Sequence, residues 1–256
     1  ATASMAASTC WAAFTAPWQF PHGLNNTVEE IRDNPVSSQN FNPGNKAFYV
    51  LDKEHPYIQD DPFHWVRGYQ VGGRSLTWGR QCYRLSDLDF EANARDGHGV
   101  DWPLRYADIA PWYDYVEEFT GISGRPEGLS QLPDGKFLPP LEMNCVEDLF
   151  ANGVRAQYKE RIVTPARVAN LTKGWNGRGP CQFRNLCDRG CPFGGYFSTQ
   201  SSTFPAALKT GNLTMRPWSI VTKVLYDKNT QKATGVEVLD AENNQTYQYH
   251  SKIVFV

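Results

Sequence analysis

The sequence predicts a mixed fold of α-helices and β-strands, and three features of the chain support that prediction. Residues 106–120 repeat apolar side chains with the period of an α-helix, and residues 213–256 contain segments in which apolar and polar side chains alternate as in strands. Between them, residues 121–144 are interrupted by proline and glycine, which is typical of an irregular connector. With 256 residues the chain can bury a substantial core, in one large domain or two small ones.

The first 45 residues of the chain are predicted to be mostly loop. Residues 1–45 are small and polar with several turn signals, and a short helix is expected at Val28–Asp33. The next segment, Lys46–Asp52, is aromatic enough to predict a short strand. The opening residues lack a basic segment and a compact apolar core, so a secretory signal peptide is not supported. No run of about 18 apolar residues occurs, so no transmembrane helix is expected.

Three helices are predicted in the middle of the chain. The first begins at Ser86 or Asp87 and stops at Gly97. The second, from Tyr106 to Thr120, has an apolar face that we interpret as part of the core. That face consists of Ile109, Trp112, Tyr113, Val116 and Phe119. The third is expected from Val146 to Lys159.

Regular structure is also predicted towards the end of the chain. A strand should follow the third helix at Arg161–Val168, and a short helix should span Ser201–Lys209. Alternating side chains then predict three hairpin-linked strands. Their sequences are L-T-M-R with S-I-V-T-K-V-L-Y-D, then A-T-G-V-E-V-L-D, then T-Y-Q-Y-H-S-K-I-V-F-V, whose last five residues look like a buried strand.

The most informative stretch runs from Arg67 to Arg84. Its Gly72-Gly73 pair lets the main chain approach a ligand closely, because no Cβ stands in the way. Backbone amides and Ser75 can donate to phosphate oxygens, and Trp78 can lie beside an aromatic ring. The combination favours a large, flat, anionic ligand. The alternative is a tight turn in an ordinary glycine-rich loop.

The segment V-G-G-R-S-L-T-W-G resembles the flavin-contacting loop of the glucose-methanol-choline (GMC) oxidoreductases, particularly the bacterial sugar dehydrogenase branch. The resemblance implies that FAD is contacted by Gly72, Gly73, Arg74, Ser75, Trp78 and Gly79. It also implies that Val221, at the start of the first C-terminal strand, holds the adenine through its backbone. Some members bond FAD covalently through a histidine one position before the tryptophan. Thr77 occupies that place here, so the resemblance implies non-covalent FAD.

The resemblance also implies a fold and a division of the chain. The fold is of the α+β or α/β class: part of a GMC-type FAD-binding domain, with an antiparallel β-meander and with helical and irregular insertions from the substrate domain. Residues 1–120 would be a partial FAD-binding domain that includes the flavin-contact loop 67–84. Residues 121–199 would be a lid-like, cysteine-rich connector towards the substrate domain. Residues 200–256 would be the β-meander, truncated at its C-terminal strand.

Three cysteines, Cys181, Cys187 and Cys191, lie close together in the sequence among glycines and arginines. Zinc would require a fourth ligand, and no further cysteine or histidine is near, so no metal site is assigned. Membrane-linked sugar dehydrogenases of the resembled branch carry a three-iron cluster at a similar run, but Gln182 replaces one of its cysteines here. Reduced thiols in a folded loop, or a structural thiol pair, are the alternatives to such a cluster.

The function implied by the resemblance is FAD-dependent oxidation of CH–OH groups in sugars or related alcohols. Its partners would be a small sugar or alcohol substrate, an external electron acceptor and an electron-transfer subunit. No Gly-x-Gly-x-x-Gly turn occurs, and no histidine stands in the family's catalytic context. The catalytic residue is therefore not identified, and we expect the chain to be an inactive internal part of a longer enzyme.

Composition limits the other functions. The formal net charge of -2 gives no basic surface for nucleic acid. The 8 tryptophans, 12 tyrosines and 14 phenylalanines also suit a non-catalytic carbohydrate-binding module, and the three clustered cysteines suit an iron–sulfur electron-transfer domain. Both stay open as alternatives. Localisation is left open between cytoplasm and periplasm.

Overall fold

The computed structural model describes residues 12–255, which fall into two compact units, residues 12–209 and residues 210–255. In the larger unit, the helices with both ends described are α1 (Val28–Asp33), α2 (Asp87–Phe90), α3 (Ala92–Asp96), α4 (Tyr106–Thr120), α5 (Cys145–Gln157) and α6 (Thr203–Lys209). The smaller unit contains β1 (Ser219–Asp227), β2 (Lys232–Asp240) and β3 (Thr246–His250). Over residues 12–255, no helix is both long and apolar enough to cross a bilayer.

Helix α1 confirms the short helix predicted there, and its first turn shows why it forms. Thr27 Oγ1 accepts from the Glu30 amide at 3.1 Å, and the Glu30 carboxylate accepts from the Thr27 amide at 2.9 Å. Lys46 Nζ lies 3.0 Å from the same carboxylate. The backbone bond from Thr27 and the bond from Lys46 together hold the pKa of Glu30 below its ordinary value. The loop prediction for residues 1–11 lies outside the described residues.

The helix predicted between Ser86 and Gly97 is present as two shorter helices, α2 and α3. Ser86 precedes α2, and its amide donates to Asp89 Oδ2 at 2.7 Å. Gly97 ends α3 in the left-handed region, with φ 71. Both predicted ends are therefore correct, while Glu91 separates the two pieces.

Helix α4 has the bounds that the sequence predicts, but its apolar face is not the core that we expected. Trp112 is 68% exposed and Val116 is 53% exposed, whereas Glu117 and Thr120 are buried. The core interpretation is wrong for those two apolar residues, because Arg84 draws Glu117 towards the interior through paired hydrogen bonds. Polar pairing decides which side of this helix is buried.

The C-terminal end of α4 is capped by a distant turn. Trp175 Nε1 donates to the Glu118 carbonyl at 2.6 Å, and Asn176 Nδ2 donates to the Phe119 carbonyl at 2.9 Å. Arg178 Nη2 donates to the Thr120 carbonyl. Three carbonyls that the helix leaves unpaired thus find side-chain donors. Burial lowers the pKa of Arg178.

The core of the larger unit lies where several extended segments meet. Isolated bridges join Val168 to Gln81 and to Ser123, and join Asn170 to Tyr196. Ala169, Leu171, Ile122 and Tyr196 are all buried there. These bridges bring the segment after the Gly-Gly pair, the connector and the segment after the clustered cysteines into one region.

Two strand predictions in this unit are wrong. Lys46–Asp52 begins instead with a short 3-10 helix at Lys46–Phe48. Residues 161–167 are irregular; of the predicted strand, Val168 forms the β-bridges, and the Arg167 carbonyl accepts from the Cys82 amide at 2.9 Å. Each stretch has strand-like residues, but within residues 12–255 neither stretch pairs with a neighbouring strand along its length. Helices α5 and α6 do occupy the places predicted for them.

The smaller unit is a three-stranded antiparallel sheet in the order β1-β2-β3, which confirms the three predicted strands. Val238 is its buried centre and lies opposite Val221 on one side and Tyr247 on the other. The expected buried strand at the end of the chain is wrong for its described part, since Ile253 is 67% and Phe255 is 91% exposed. Val256 lies outside the described residues.

Candidate functional site

The Gly-Gly pair folds into a tight turn, which we define as residues 70–79 and call the Gly-Gly turn. Gly72 and Gly73 both have positive φ, at 99 and 49, and a 3-10 helix follows at Gly73–Leu76. Such conformations explain why two glycines stand here. The Gly73 amide donates to the Gln70 carbonyl at 3.0 Å, and the Ser75 amide donates to the Gly72 carbonyl at 3.1 Å.

The hydroxyl of Ser75 is fully engaged inside the protein. It donates to the Gly72 carbonyl at 2.6 Å and accepts from the Thr199 amide at 3.1 Å. Thr199 Oγ1 lies 3.0 Å from it and can supply a second donor. Since a hydroxyl has one proton and two lone pairs, Ser75 has no bond left for a ligand in this arrangement. Its contribution is to hold the turn in shape.

Trp78 is anchored by one edge. Its Nε1 donates to the Phe197 carbonyl at 3.0 Å, and its ring meets the Phe197 ring edge-on, with centroids 6.0 Å apart. The indole is half-buried. This fixes the plane of the ring and leaves part of it accessible to a second flat group.

The Gly-Gly turn has open space beside Gly73 and Gly79, which we call its open side. A Cβ placed on Gly73 or on Gly79 would meet no heavy atom within 4 Å. In the part of the chain that the structure describes, the Gly72 amide donates to no protein acceptor. The turn therefore has a bare backbone surface and an available amide donor.

Two positive charges lie in or directly after the Gly-Gly turn, on Arg74 and Arg80. Arg74 is exposed, and Arg80 is half-buried with its guanidinium 5.2 Å from the centre of the Tyr196 ring. Arg80 Nη1 also donates to the Trp78 carbonyl at 3.0 Å. Within residues 12–255, neither arginine forms an ion pair with a carboxylate. Their charges are available to an anionic ligand.

The clustered cysteines lie in a loop, residues 181–195, that we call the cysteine loop. Cys181, Cys187 and Cys191 are half-buried free thiols. Burial raises the pKa of Cys187, and the neighbouring Cys181 and Cys191 add to the rise while Arg80 opposes it. Among the described residues, no group of three or more cysteine, histidine or acidic side chains is arranged to hold a metal ion.

The cysteine loop also borders the Gly-Gly turn. Tyr196, the first residue after the loop, is buried, and burial raises its pKa to about 12; Arg80 opposes this rise, while Cys191 and Cys187 add to it. The Gly-Gly turn and the segment around the cysteine loop, which are about a hundred positions apart in the sequence, thus lie next to each other in the fold. Phe197 and Thr199 were not predicted as site residues, because their pairing with the turn has no local signal.

The predicted site residues fall in two places. Gly72, Gly73, Arg74, Ser75, Trp78 and Gly79 lie together in the Gly-Gly turn of the larger unit. Val221 lies in β1 of the smaller unit and is 53% exposed. The five histidines, all within the described residues, are His22, His55, His64, His98 and His250. Each is exposed, so no buried catalytic imidazole is found in this part of the chain.

Comparison with known proteins gives several partial similarities. The chain is 30% identical over 131 residues to paromamine 6'-oxidase of Streptomyces fradiae, which covers 50% of this chain and 23% of that protein. It is 24% identical over 183 residues to the fructose dehydrogenase large subunit of Gluconobacter japonicus, covering 62% and 34%. It is 26% identical over 191 residues to 2-methyl-1,2-propanediol dehydrogenase of Mycolicibacterium austroafricanum, covering 73% and 34%.

The chain thus matches between about a quarter and a third of the length of these relatives. A family profile extends further along this chain than any of them. The profile described as GMC oxidoreductase matches residues 5–256, which is nearly the whole sequence. The chain belongs to the GMC oxidoreductase family.

Proposed function

We propose that this chain forms part of an FAD-dependent oxidoreductase that acts on CH–OH groups of sugars or related alcohols. The carrying observation is the open side of the Gly-Gly turn in a chain of this family. The names of the relatives point to the same chemistry, since they include an oxidase of paromamine and dehydrogenases of fructose and of a diol.

The residues present fit FAD on three counts. The backbone at Gly73 and Gly79 is bare, so a flat ring system can approach it without meeting a side chain. Trp78 has a fixed plane and accessible surface. The free Gly72 amide and the exposed Arg74 supply a hydrogen-bond donor and a positive charge for a pyrophosphate.

Each residue then has a defined task in the proposal. Gly73 and Gly79 admit the cofactor, the Gly72 amide donates to it, Arg74 binds its negative charge, and Ser75 keeps the turn closed. Val221 contacts the adenine through its backbone. When bound, FAD would supply the acceptor for a hydride from the carbon that bears the substrate hydroxyl. This part of the chain binds and orients the cofactor, and the proposal assigns no catalytic base to it.

We also infer a functional division of the chain. Residues 1–120 and 200–256 would belong to the FAD-binding domain, and residues 121–199 would lead to the substrate domain. An external acceptor would reoxidise the flavin. A partner subunit for electron transfer is supported by the name of one relative, the fructose dehydrogenase large subunit.

A visible spectrum of the whole protein that carries this chain tests the proposal. We expect flavin absorbance from the protein. Denaturation should release the yellow chromophore, because position 77 is a threonine and not the histidine to which some family members bond FAD covalently. A colourless protein would contradict the proposal. Sugar binding without colour would favour a carbohydrate-binding module, and a brown protein with stoichiometric iron and no flavin would favour an electron-transfer domain.

A further inference from the structure

We propose that residues 196–200, which follow the cysteine loop, form a strap that positions the Gly-Gly turn for FAD, with Gln200 as a positioning residue. This inference rests on the proposed function, because it concerns the same turn. Two hydrogen bonds join the ends of the strap to the Gly-Gly turn. Gln200 Nε2 donates to the Val71 carbonyl at 2.6 Å, and the Tyr196 hydroxyl donates to the Leu76 carbonyl at 3.3 Å.

The contacts between these ends complete the strap. Thr199 pairs with Ser75 through its amide and its hydroxyl, and the Phe197 carbonyl accepts from Trp78. Hydrogen bonds therefore reach the turn at its entry, its middle and its exit. A short segment bonded at that many points fixes the backbone more firmly than any one of the bonds would.

Steric contact shows which side of the turn the strap covers. A Cβ on Gly72 would lie 3.1 Å from Thr199 Oγ1 and 3.3 Å from Gln200 Cγ. A Cβ on Gly73 would meet nothing. The strap presses against the turn at Gly72 and leaves the Gly73 side free, so it supports the backbone from behind the surface proposed for FAD.

Gln200 is the member of the strap best suited to a test. Its side chain is exposed, so its removal opens no cavity in the core. Its bond is to the carbonyl of Val71, whose peptide group continues into the available amide of Gly72. Loss of that bond should let this peptide rotate, and the amide would then point towards FAD for only part of the time.

The experiment compares Gln200→Ala with Gln39→Ala in the whole protein. Gln39 is a matched control, because its exposed side chain also donates to a backbone carbonyl, that of Pro35 at 2.9 Å, which belongs to neither the Gly-Gly turn nor the strap. Titration of the apoprotein with FAD, followed by flavin fluorescence, should show a Kd roughly fivefold to tenfold higher for Gln200→Ala. Gln39→Ala should keep the wild-type Kd. Amide hydrogen exchange at Gly73 and Ser75 should become faster in Gln200→Ala without FAD.

Two further variants test the chemistry of the bond. Gln200→Glu keeps the length of the side chain but removes its donor at neutral pH, so it should resemble Gln200→Ala. Gln200→Lys restores a donor and should recover part of the affinity. An unchanged Kd in Gln200→Ala, or an equal loss in Gln39→Ala, would overturn the strap while leaving flavin binding intact. Wild-type protein without any flavin would instead overturn the proposed function.

Discussion

Arg84 donates two hydrogen bonds to the Glu117 carboxylate, at 3.0 Å from Nε and 2.5 Å from Nη2. Both residues are buried, and Arg84 also donates to Asp114 and to Tyr106. Burial lowers the pKa of Arg84, but the hydrogen bonds to Glu117, Asp114 and Tyr106 outweigh it and raise the pKa overall. The pair fastens α4 to the segment that follows the Gly-Gly turn.

We expect Glu117→Gln to lower the free energy of unfolding by about 3 kcal/mol, because it leaves a buried guanidinium short of one negative partner. Urea denaturation at neutral pH measures this. The adjacent Glu118→Gln is the control, since Glu118 is exposed and pairs with the exposed Lys136 at 3.3 Å. It should change the free energy by no more than about 0.5 kcal/mol. Similar losses of unfolding free energy in the two variants would show that the buried pair stabilises the fold no more than the exposed pair does.

Gly73→Ala should weaken FAD binding far more than it weakens the fold. Alanine in the left-handed region costs roughly 1 kcal/mol, and the added methyl group would project into the space proposed for the cofactor. Gly97→Ala carries the same backbone penalty, also with nothing within 4 Å of its Cβ, but it lies at the end of α3.

The urea midpoints of Gly73→Ala and Gly97→Ala should therefore agree. Their Kd values for FAD, measured by titration, should differ by about tenfold or more, with the weaker binding in Gly73→Ala. Equal FAD affinities would show that the open side of the turn does not face the cofactor.

Cys82 should react much more slowly with iodoacetamide than Cys145 in the native protein. Burial, with a further contribution from Glu117, raises the pKa of Cys82 to about 11. At pH 8 only roughly one molecule in a thousand would then carry the thiolate that reacts. Cys145 is exposed at the start of α5.

Peptide mass spectrometry over a time course measures both rates. In urea the two cysteines should react alike, which controls for differences in local sequence. Labelling of native Cys82 at the rate of Cys145 would contradict its burial.

Asp134 should make stability depend on pH in the acid range. It accepts from the amides of Glu127 and Gly128, at 2.9 and 2.8 Å, and from Arg167 at 2.8 Å. Burial raises its pKa, but these amides and Arg167 lower it overall. A carboxyl whose folded pKa lies below its unfolded value of about 3.9 stabilises the fold above that value and loses the contribution as pH falls through the folded pKa.

The difference in unfolding free energy between wild type and Asp134→Asn should thus be constant above about pH 5 and should shrink below about pH 4. Urea denaturation across this range measures it. A gap that stays constant down to pH 2 would rule out the lowered pKa.

Nearby residues in the sequence were sufficient to predict some elements of this fold. Gly121, in the left-handed region with φ 76, ends α4 where the helical pattern stops. Nearby residues gave the wrong prediction, a strand, at Lys46–Asp52. There the Asn42 amide donates to Asn45 Oδ1 at 2.7 Å, and the Lys46 amide donates to the Asn42 carbonyl at 2.9 Å. This side-chain-assisted turn runs into the start of the segment and competes with strand formation.

In the candidate site, the sequence predicts the backbone conformation but not the partners of the side chains. Glycines with positive φ could be recognised in the sequence, because few other residues tolerate that conformation. The role of Ser75 could not, because its partner Thr199 lies 124 positions away. From sequence its hydroxyl is an available donor, and only the folded chain shows that it is already bonded.

The capped end of α4 has a consequence for how the chain folds. The donors that complete its last turn come from positions 57 and 58 residues later, so they do not yet exist when the ribosome has just released the helix. Contacts that span such separations form slowly, because the intervening chain must first be ordered. The last turn of α4 should therefore fray in nascent chains that stop before residue 175 and become firm only when the turn at 175–178 has emerged.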